Sequence, residues 1–149
     1  MSVSVQEADF DVAAEMAAMR AGRTDIGAIV SFTGLVRDTA SGEAISDMEL
    51  EHYPGMTEKA LAEIEAKALA RWELEATRIV HRFGKLSPGE QIVLVLTASP
   101  HRQAAFEAAE YLMDYLKSRA PFWKKEGTAD GGRWVDARDA DEDALNRWE

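Results

Sequence analysis

The chain has 149 residues, 46% of them hydrophobic and 30% charged, which suffices for one domain that buries roughly 68–70% of its unfolded surface. Its formal net charge of −10 argues against general nucleic-acid binding, because affinity for the phosphate backbone requires a basic surface. The absence of cysteine excludes disulfides, thiolate metal ligands and cysteine nucleophiles.

Helices and strands are interleaved along the sequence. Near-continuous apolar runs favour central strands covered on both faces, alternating runs favour half-covered strands, and a 3.6-residue apolar period favours helices. In chain order the predicted elements are a helix over 11–21, a central strand over 26–34, a half-covered strand over 48–53, a helix over 56–72, a half-covered strand over 77–83, a central strand over 91–98 and a helix over 101–119. A type II turn is predicted at Ser87-Pro88-Gly89-Glu90, and the mixture indicates an α+β layered domain.

The whole chain, 1–149, is predicted to be a single domain, because no linker or internal repeat divides it. The sequence is acidic from Asp136 onward. We call the part from about residue 139 the acidic tail. It is predicted to be either a weakly held helix or disordered. No apolar run is long enough to span a bilayer, and the first seven residues lack the pattern of a signal peptide, so we expect a cytoplasmic protein.

An anion site is predicted where the last helix begins. Ser99 and Pro100 are typical of an N-cap and a first helical position, and His101 and Arg102 follow. Cationic side chains in a first turn oppose the helix dipole, so their presence favours a bound phosphate or carboxylate. The alternative is that Arg102 pairs with a nearby acidic side chain.

Four cations and no acidic residue lie between Lys117 and Lys125. We call Lys117, Arg119, Lys124 and Lys125 the basic cluster. Lys117 and Arg119 agree with the ordinary preference for cations at a helix C-terminus, whereas Lys124 and Lys125 lie beyond it. Neighbouring ammonium groups repel each other, which favours a lysine that acts as a nucleophile or as an acid or base.

The helix separates these two candidate sites. His101 and Lys117 are sixteen residues apart, or roughly 24 Å along one helix axis. One small substrate cannot contact both within one subunit. They therefore serve two sites, or a symmetric dimer brings one subunit's His101 to the other's Lys117, and we favour the dimer as a hypothesis.

The remaining polar candidates are weaker. Arg37 follows the strand over 26–34, and Gly34 there allows a backbone bend or close approach of a ligand. Arg133 and Arg138, around Trp134, are ambiguous. His52 and His81 fall on apolar strand faces, which favours core or interface histidines over ligands. No metal site or cofactor is predicted, because the three histidines are scattered and no cysteine is present.

Several strings in this sequence resemble the large, catalytic subunit of molybdopterin synthase. The match runs in register from about residue 27 to residue 138. Its strings are Phe32-Thr-Gly-Leu-Val-Arg37, Leu50-Glu-His-Tyr-Pro-Gly-Met-Thr-Glu58, His81-Arg-Phe-Gly84, His101-Arg102 and Met113-Asp-Tyr-Leu-Lys-Ser-Arg-Ala-Pro-Phe-Trp-Lys-Lys-Glu126.

The resemblance implies a sulfurtransferase with an α/β hammerhead fold and an added antiparallel sheet. Its substrate would be cyclic pyranopterin monophosphate, which gains two sulfurs and becomes the dithiolene of molybdopterin. The sulfur would come from the thiocarboxylated C-terminal glycine of a small ubiquitin-like partner, and the absence of cysteine fits a borrowed sulfur. Two large subunits would form a dimer with one small subunit at each end, a heterotetramer.

The resemblance also implies roles for individual residues. Lys117 and Lys124 match the family's catalytic lysines. Positions that bind the substrate or its phosphate are matched by Arg37, His101, Arg102, Lys125 and Arg138. Leu35 departs from the pattern, because relatives often have lysine there. The alternatives are a non-catalytic anion-binding or adaptor module that uses the same cluster, and a purely structural dimeric domain.

Overall fold

Helices and strands are interleaved in the computed structural model, which describes residues 2–40, 43–44, 47–128, 131–135 and 139–148. The helices are α1 (Val12–Arg20), α2 (Met56–Arg71), α3 (Arg102–Ser118) and α4 (Asp139–Asn146). The strands are β1 (Val3–Gln6), β2 (Ala28–Leu35), β3 (Thr39–Ala40), β4 (Glu43–Ala44), β5 (Met48–His52), β6 (Ala76–Arg82), β7 (Gly84–Leu86), β8 (Gln91–Ser99), β9 (Phe122–Thr128) and β10 (Gly131–Val135).

Two four-stranded sheets form the framework. The mixed sheet has the order β1-β6-β8-β2, in which β1 is parallel to β6 and the other pairs are antiparallel. The second, the antiparallel sheet, has the order β10-β9-β5-β7. Strands β3 and β4 pair with each other. The predicted α+β class with an additional antiparallel sheet is confirmed.

The mixed sheet is covered on both faces. On one face, Ile79 and Val95 pack with Leu61 of α2 and Leu112 of α3. On the other face, Val80 packs with Phe10, Leu94 and Leu96, and side chains of α1 complete this layer. Strand β6 is therefore buried on both faces, and the prediction that it is half-covered is wrong.

Strand β2 lies at the edge of the mixed sheet, next to β8 alone. Its Phe32 side chain is 39% exposed and Leu35 is 54% exposed. The prediction of a central strand over 26–34 is therefore wrong, whereas that for β8 is confirmed. An apolar run reports on the two faces of a strand and carries no information about its hydrogen-bonding edge.

Local hydrogen bonds define two short segments, the start of α1 and the turn before β8. Asp11 caps α1, and its Oδ1 accepts a hydrogen bond from the Ala14 N–H at 3.0 Å. The predicted turn is present, because the Glu90 N–H donates to the Ser87 carbonyl at 3.0 Å and Gly89 has a φ of 91°. A type II turn needs a positive φ at that position, which glycine adopts without strain.

The acidic tail forms α4, which packs against α3. Leu145 is buried, and the Trp148 Nε1–H donates to the Asp114 carboxylate at 2.6 Å. The Trp148 ring lies 5.6 Å from that of Trp72, with the Arg71 guanidinium 5.3 Å from the Trp148 ring centre. Of the two predicted alternatives the helical one is correct, and these contacts hold the helix more firmly than its acidic composition indicated.

Candidate active site

Helix α3 spans the mixed sheet from one end to the other. Ala28 of β2 is opposite Ser99 of β8 at one end, and Leu35 is opposite Gln91 at the other. The helix begins just after Ser99 and returns across the sheet, so that Leu116 packs in the same cluster as Val93. Its N-terminal and C-terminal cations therefore lie at opposite ends of the sheet.

The N-terminal end of α3 begins later than the sequence predicts. His101 is the N-cap and Arg102 is the first helical residue. Ser99 instead ends β8, where its Oγ donates to the Glu73 carbonyl at 2.8 Å and accepts from the His101 N–H at 3.1 Å. The prediction of Ser99 as the N-cap is wrong, because that hydroxyl is used to join the strand end to the chain before β6.

A surface groove lies at this end of the helix. Both His101 and Arg102 are exposed, and the first turn contains no acidic residue. Within the described part of the chain, no acidic side chain lies within ion-pair distance of Arg102. The groove is lined by Gly27, Ala28, Pro100, His101, Arg102, Gln103, Phe106 and Glu107.

The C-terminal end of α3 turns directly into a strand. The helix ends at Ser118, and the Arg119 N–H donates to the Tyr115 carbonyl at 2.8 Å. After Pro121, the Phe122 N–H donates to the Ala120 carbonyl at 2.8 Å, and β9 begins there. The basic cluster thus spans a helix end and the start of a strand, joined by a tight turn.

Members of the basic cluster differ in their surroundings. Lys117 is exposed, and Arg119 pairs with Glu142 of α4 at 3.4 Å. Lys124 is half-buried in β9. The backbone of Lys125 is opposite Glu49 of β5, and its side chain lies outside the described residues. One of the four predicted anion-binding cations is therefore engaged by the tail helix.

Lys124 lies on the inward face of the antiparallel sheet. Side chains two residues apart on a strand share a face, so Lys124 and Phe122 project to the same side of β9. Their partners on β5 are Leu50 and His52, respectively. Leu50 is buried in the core between the two sheets, which shows that this face is the inner one.

A group of four rings, which we call the ring column, joins the two sheets at the start of β9; its members are His52, His81, Phe83 and Phe122. The His81 ring of β6 stacks on Phe122, with ring centres 3.8 Å apart and planes 18° apart. The His52 ring lies 6.1 Å from Phe122 and 4.5 Å from Phe83. The start of β9 is therefore fixed against β6, an interior strand of the mixed sheet, by aromatic contacts.

Both histidines of the column use Nδ1 as a donor. His81 Nδ1 lies 2.9 Å from the Arg82 carbonyl, which can only accept. His52 Nδ1 lies 3.1 Å from Thr57 Oγ1, whose own proton is donated to the Tyr53 carbonyl at 2.8 Å. We infer that Nε2 carries the lone pair in each neutral ring.

Burial determines the charge state of His81. Loss of hydration lowers the pKa of this side chain to about 4, the hydrogen bond to the Arg82 carbonyl opposes that shift, and the Lys117 ammonium and His52 lower the pKa further. His81 is therefore neutral at pH 7.

Arg37 lies at the same end of the mixed sheet as Lys117. It is exposed and follows β2, whose register shifts by a bulge between Gly34 and Leu35. This register shift lies at the glycine where the sequence allowed a backbone bend or close approach of a ligand. Gly34 also packs closely against Val93 of β8. A Cβ atom at position 34 would lie only 2.8 Å from Val93 Cγ1.

Two predicted candidates lie wholly or partly outside the described residues. Arg138 lies outside the described residues, and for Arg133 only the backbone of β10 is described. The sequence did not reveal the stacking of His81 on Phe122. Both predicted core histidines do lie on strands, and His81 is buried as expected, but its neighbour Phe122 is distant in sequence. The adjacent lysines also concealed the strand character of residues 122–128.

Neither a membrane-spanning helix nor a cluster of metal ligands is present within the described ranges. No helix there is long and apolar enough to cross a membrane. No group of three or more His, Asp or Glu side chains in that part of the chain is arranged to hold a metal ion.

Comparison with known proteins identifies the family. Residues 5–119 match the family model described as MoaE protein. The chain belongs to the MoaE protein family. It is 63% identical over 147 residues to the molybdopterin synthase catalytic subunit of Ralstonia nicotianae, covering 99% of this chain and 84% of that protein. The resemblance seen in the sequence is confirmed.

Solved MoaE structures share the fold. The MoaE protein of Burkholderia ambifaria superposes with a TM-score of 0.84 at 54% identity, covering 99% of this chain and 97% of that one. The molybdopterin synthase structure from Staphylococcus aureus gives a TM-score of 0.82 at 34% identity, covering 91% and 97%. These relatives belong to molybdopterin biosynthesis.

Proposed function

We propose that this MoaE protein is the catalytic subunit of a molybdopterin synthase and acts as a sulfurtransferase. It adds two sulfurs to cyclic pyranopterin monophosphate and so forms the dithiolene of molybdopterin. Each sulfur comes from the thiocarboxylated C-terminal glycine of a small ubiquitin-like partner. In each transfer a carbon–sulfur bond replaces a carbon–oxygen bond of the substrate, whose oxygen group leaves. Water then cleaves the bond between that sulfur and the glycine carbonyl, which leaves the sulfur on the substrate and returns the glycine to a carboxylate.

The observation that carries this proposal is the turn between α3 and β9. Lys117 lies in the last turn of the helix, and Lys124 projects from the inward face of the strand that starts at Phe122. Two ammonium groups on either side of this turn suit a reaction in which a thiocarboxylate attacks an anionic substrate. They stabilise negative charge as it develops on the reacting oxygen and sulfur atoms.

The other end of α3 suits the phosphate of the substrate. The groove at the helix N-terminus offers the backbone N–H groups of the first helical turn together with the exposed side chains of His101 and Arg102. These donors bind a phosphate bidentately and complement its charge. Arg37, Lys125 and Arg138 are further candidates for anion binding on the basis of family resemblance.

We further propose that the active site is shared between two large subunits. His101 and Lys117 lie at opposite ends of one helix, so one small substrate contacts both only if a second subunit supplies one of them. A symmetric dimer repeats that contact twice and gives two equal sites. One small partner per site then yields a heterotetramer.

A turnover assay tests the proposed function. The purified chain is mixed with cyclic pyranopterin monophosphate and a thiocarboxylated small subunit, and addition of two sulfurs is followed by mass spectrometry. Lys117→Ala is expected to lower the rate by roughly 10²–10³-fold, the scale of removing one transition-state donor. Lys117→Arg keeps the charge but removes a titratable amine, so it separates electrostatic stabilisation from proton transfer.

Lys67→Ala provides a matched control, because Lys67 is an exposed lysine on α2 outside the basic cluster. Its rate is expected to equal that of the unmodified chain. A chain that binds the small subunit yet adds no sulfur would refute the sulfurtransferase and favour the adaptor. Undiminished activity in Lys117→Arg would exclude acid, base or nucleophilic action by Lys117.

A further inference from the structure

His81 occupies a position between the two sheets that none of the proposed chemical steps uses. Its strand β6 is hydrogen-bonded on both sides, so that residue 81 is opposite Val5 of β1 and Val93 of β8. The side chain is only 7% exposed. Such a residue has little freedom to move, because both its backbone neighbours and its packing are fixed.

The orientation of the His81 ring is fixed as well as its place. Its Nδ1–H bonds the Arg82 carbonyl at 2.9 Å, which holds the imidazole plane relative to β6. The flat face of the ring then meets Phe122 at a centre-to-centre distance of 3.8 Å. A buried imidazole must lose its hydration, so an apolar residue would fill this space at lower cost. Unlike an apolar side chain, the histidine ring is held in one orientation by its hydrogen bond, and its flat face stacks on Phe122.

Phe122 transmits this orientation to the basic cluster. It is the first residue of β9, and it follows the turn that closes α3. It also packs against the helical core that contains Leu116, the neighbour of Lys117. Lys124 lies two residues farther along the same face of the strand. A shift of the Phe122 ring would therefore move Lys124 relative to Lys117.

We propose that His81 is a positioning residue for sulfur transfer, whose stacking on Phe122 sets the place of Lys124 relative to Lys117. This inference rests on the proposed function. His81 touches neither the substrate nor the sulfur donor in this scheme, and it acts only through Phe122. Because catalytic groups must be held within a fraction of an ångström, loss of the stack should slow turnover without weakening substrate binding.

The test compares kcat and KM in the sulfur-addition assay, with rates divided by the folded fraction measured by circular dichroism. His81→Ala and Phe122→Leu should each lower kcat roughly 10–100-fold and leave KM unchanged. The double variant should be no slower than the slower single variant, because both changes break one contact. His81→Phe keeps an aromatic surface and should recover most of the rate.

Val80→Ala is the matched control. Val80 is buried on the same strand but faces the opposite side, where it packs with Phe10 and Leu94. Its kcat per folded molecule should equal that of the unmodified chain. Should His81→Ala fail to fold, His81→Asn retains a side-chain N–H for the Arg82 carbonyl, removes the ring and tests the same expectation.

Three results would overturn the inference while leaving the proposed function intact. One is an unchanged kcat in folded His81→Ala or His81→Asn. Another is a double variant whose loss equals the product of the two single losses. The third is a raised KM with unchanged kcat, which would make His81 part of substrate binding. Absence of turnover in the unmodified chain would instead overturn the proposed function, and this inference with it.

Discussion

At the scale of single residues, His81 makes the stability of the fold sensitive to acid. The pKa of its side chain is about 4 in the folded protein and 6.5 in its ordinary state. Between these values the unfolded chain binds one more proton than the folded chain, so stability falls as pH falls. We expect this residue to lower the free energy of unfolding by roughly 1.4 kcal/mol per pH unit between 6.5 and 4.

Urea unfolding at pH 7 and pH 5 checks this prediction. His81→Phe cannot bind the proton, so its free energy of unfolding should fall less between the two pH values. Carboxylates contribute equally to both proteins. Asp9, whose pKa is lowered mainly by the hydrogen bond from Gln91, is one example. Equal losses in the two proteins would show that His81 titrates normally in the folded state.

At the scale of elements, the tail helix α4 depends on aromatic contacts. Trp148 packs with Trp72 and Tyr111, its Nε1–H bonds Asp114, and Arg71 Nη1 donates to its carbonyl at 2.8 Å. Trp148→Ala should therefore release α4 and lower the free energy of unfolding by roughly 2–4 kcal/mol. Urea unfolding measures the loss, and hydrogen exchange over 139–148 shows whether the helix detaches.

Trp123→Ala is the matched control, because it makes the same substitution, tryptophan to alanine, at an exposed position. Trp123 is 44% exposed and makes an edge contact with Tyr53 at 5.2 Å. Its removal should cost clearly less stability than removal of Trp148 and leave exchange in α4 unchanged. Normal exchange protection of 139–148 in Trp148→Ala would mean that Leu145 and the ion pairs hold the helix by themselves.

At the scale of the whole molecule, the proposed shared site predicts recovery of activity between two inactive variants. A random mixture of His101→Ala and Lys117→Ala chains contains one half mixed dimers. Each mixed dimer has one complete site out of two, so about a quarter of the unmodified activity should return. The sulfur-addition assay measures this after the chains are unfolded and refolded together.

A second mixture serves as the control. His101→Ala and Arg102→Ala lie at the same end of α3, so every site in their mixed dimers lacks one of the two side chains. No recovery is expected there. Equal activity in the two mixtures would count against a site built from both subunits and would favour two separate sites on each chain.

The sequence by itself determined the local structure. The periodicity of apolar residues predicted α1, α2, α3 and the main strands, because side-chain alternation follows directly from helix and strand geometry. The turn at Gly89 followed from its residue types. The concentration of cations between 117 and 125 was also visible, since charge patterns need no fold to be recognised.

The tertiary structure alone decided how these elements meet. It placed β2 at an edge and β6 in the interior, joined Arg119 to Glu142, and stacked His81 on Phe122. Each of these relations connects segments far apart in the chain. Local propensities carry no information about such contacts, because they arise when separate faces are buried against one another to form the core.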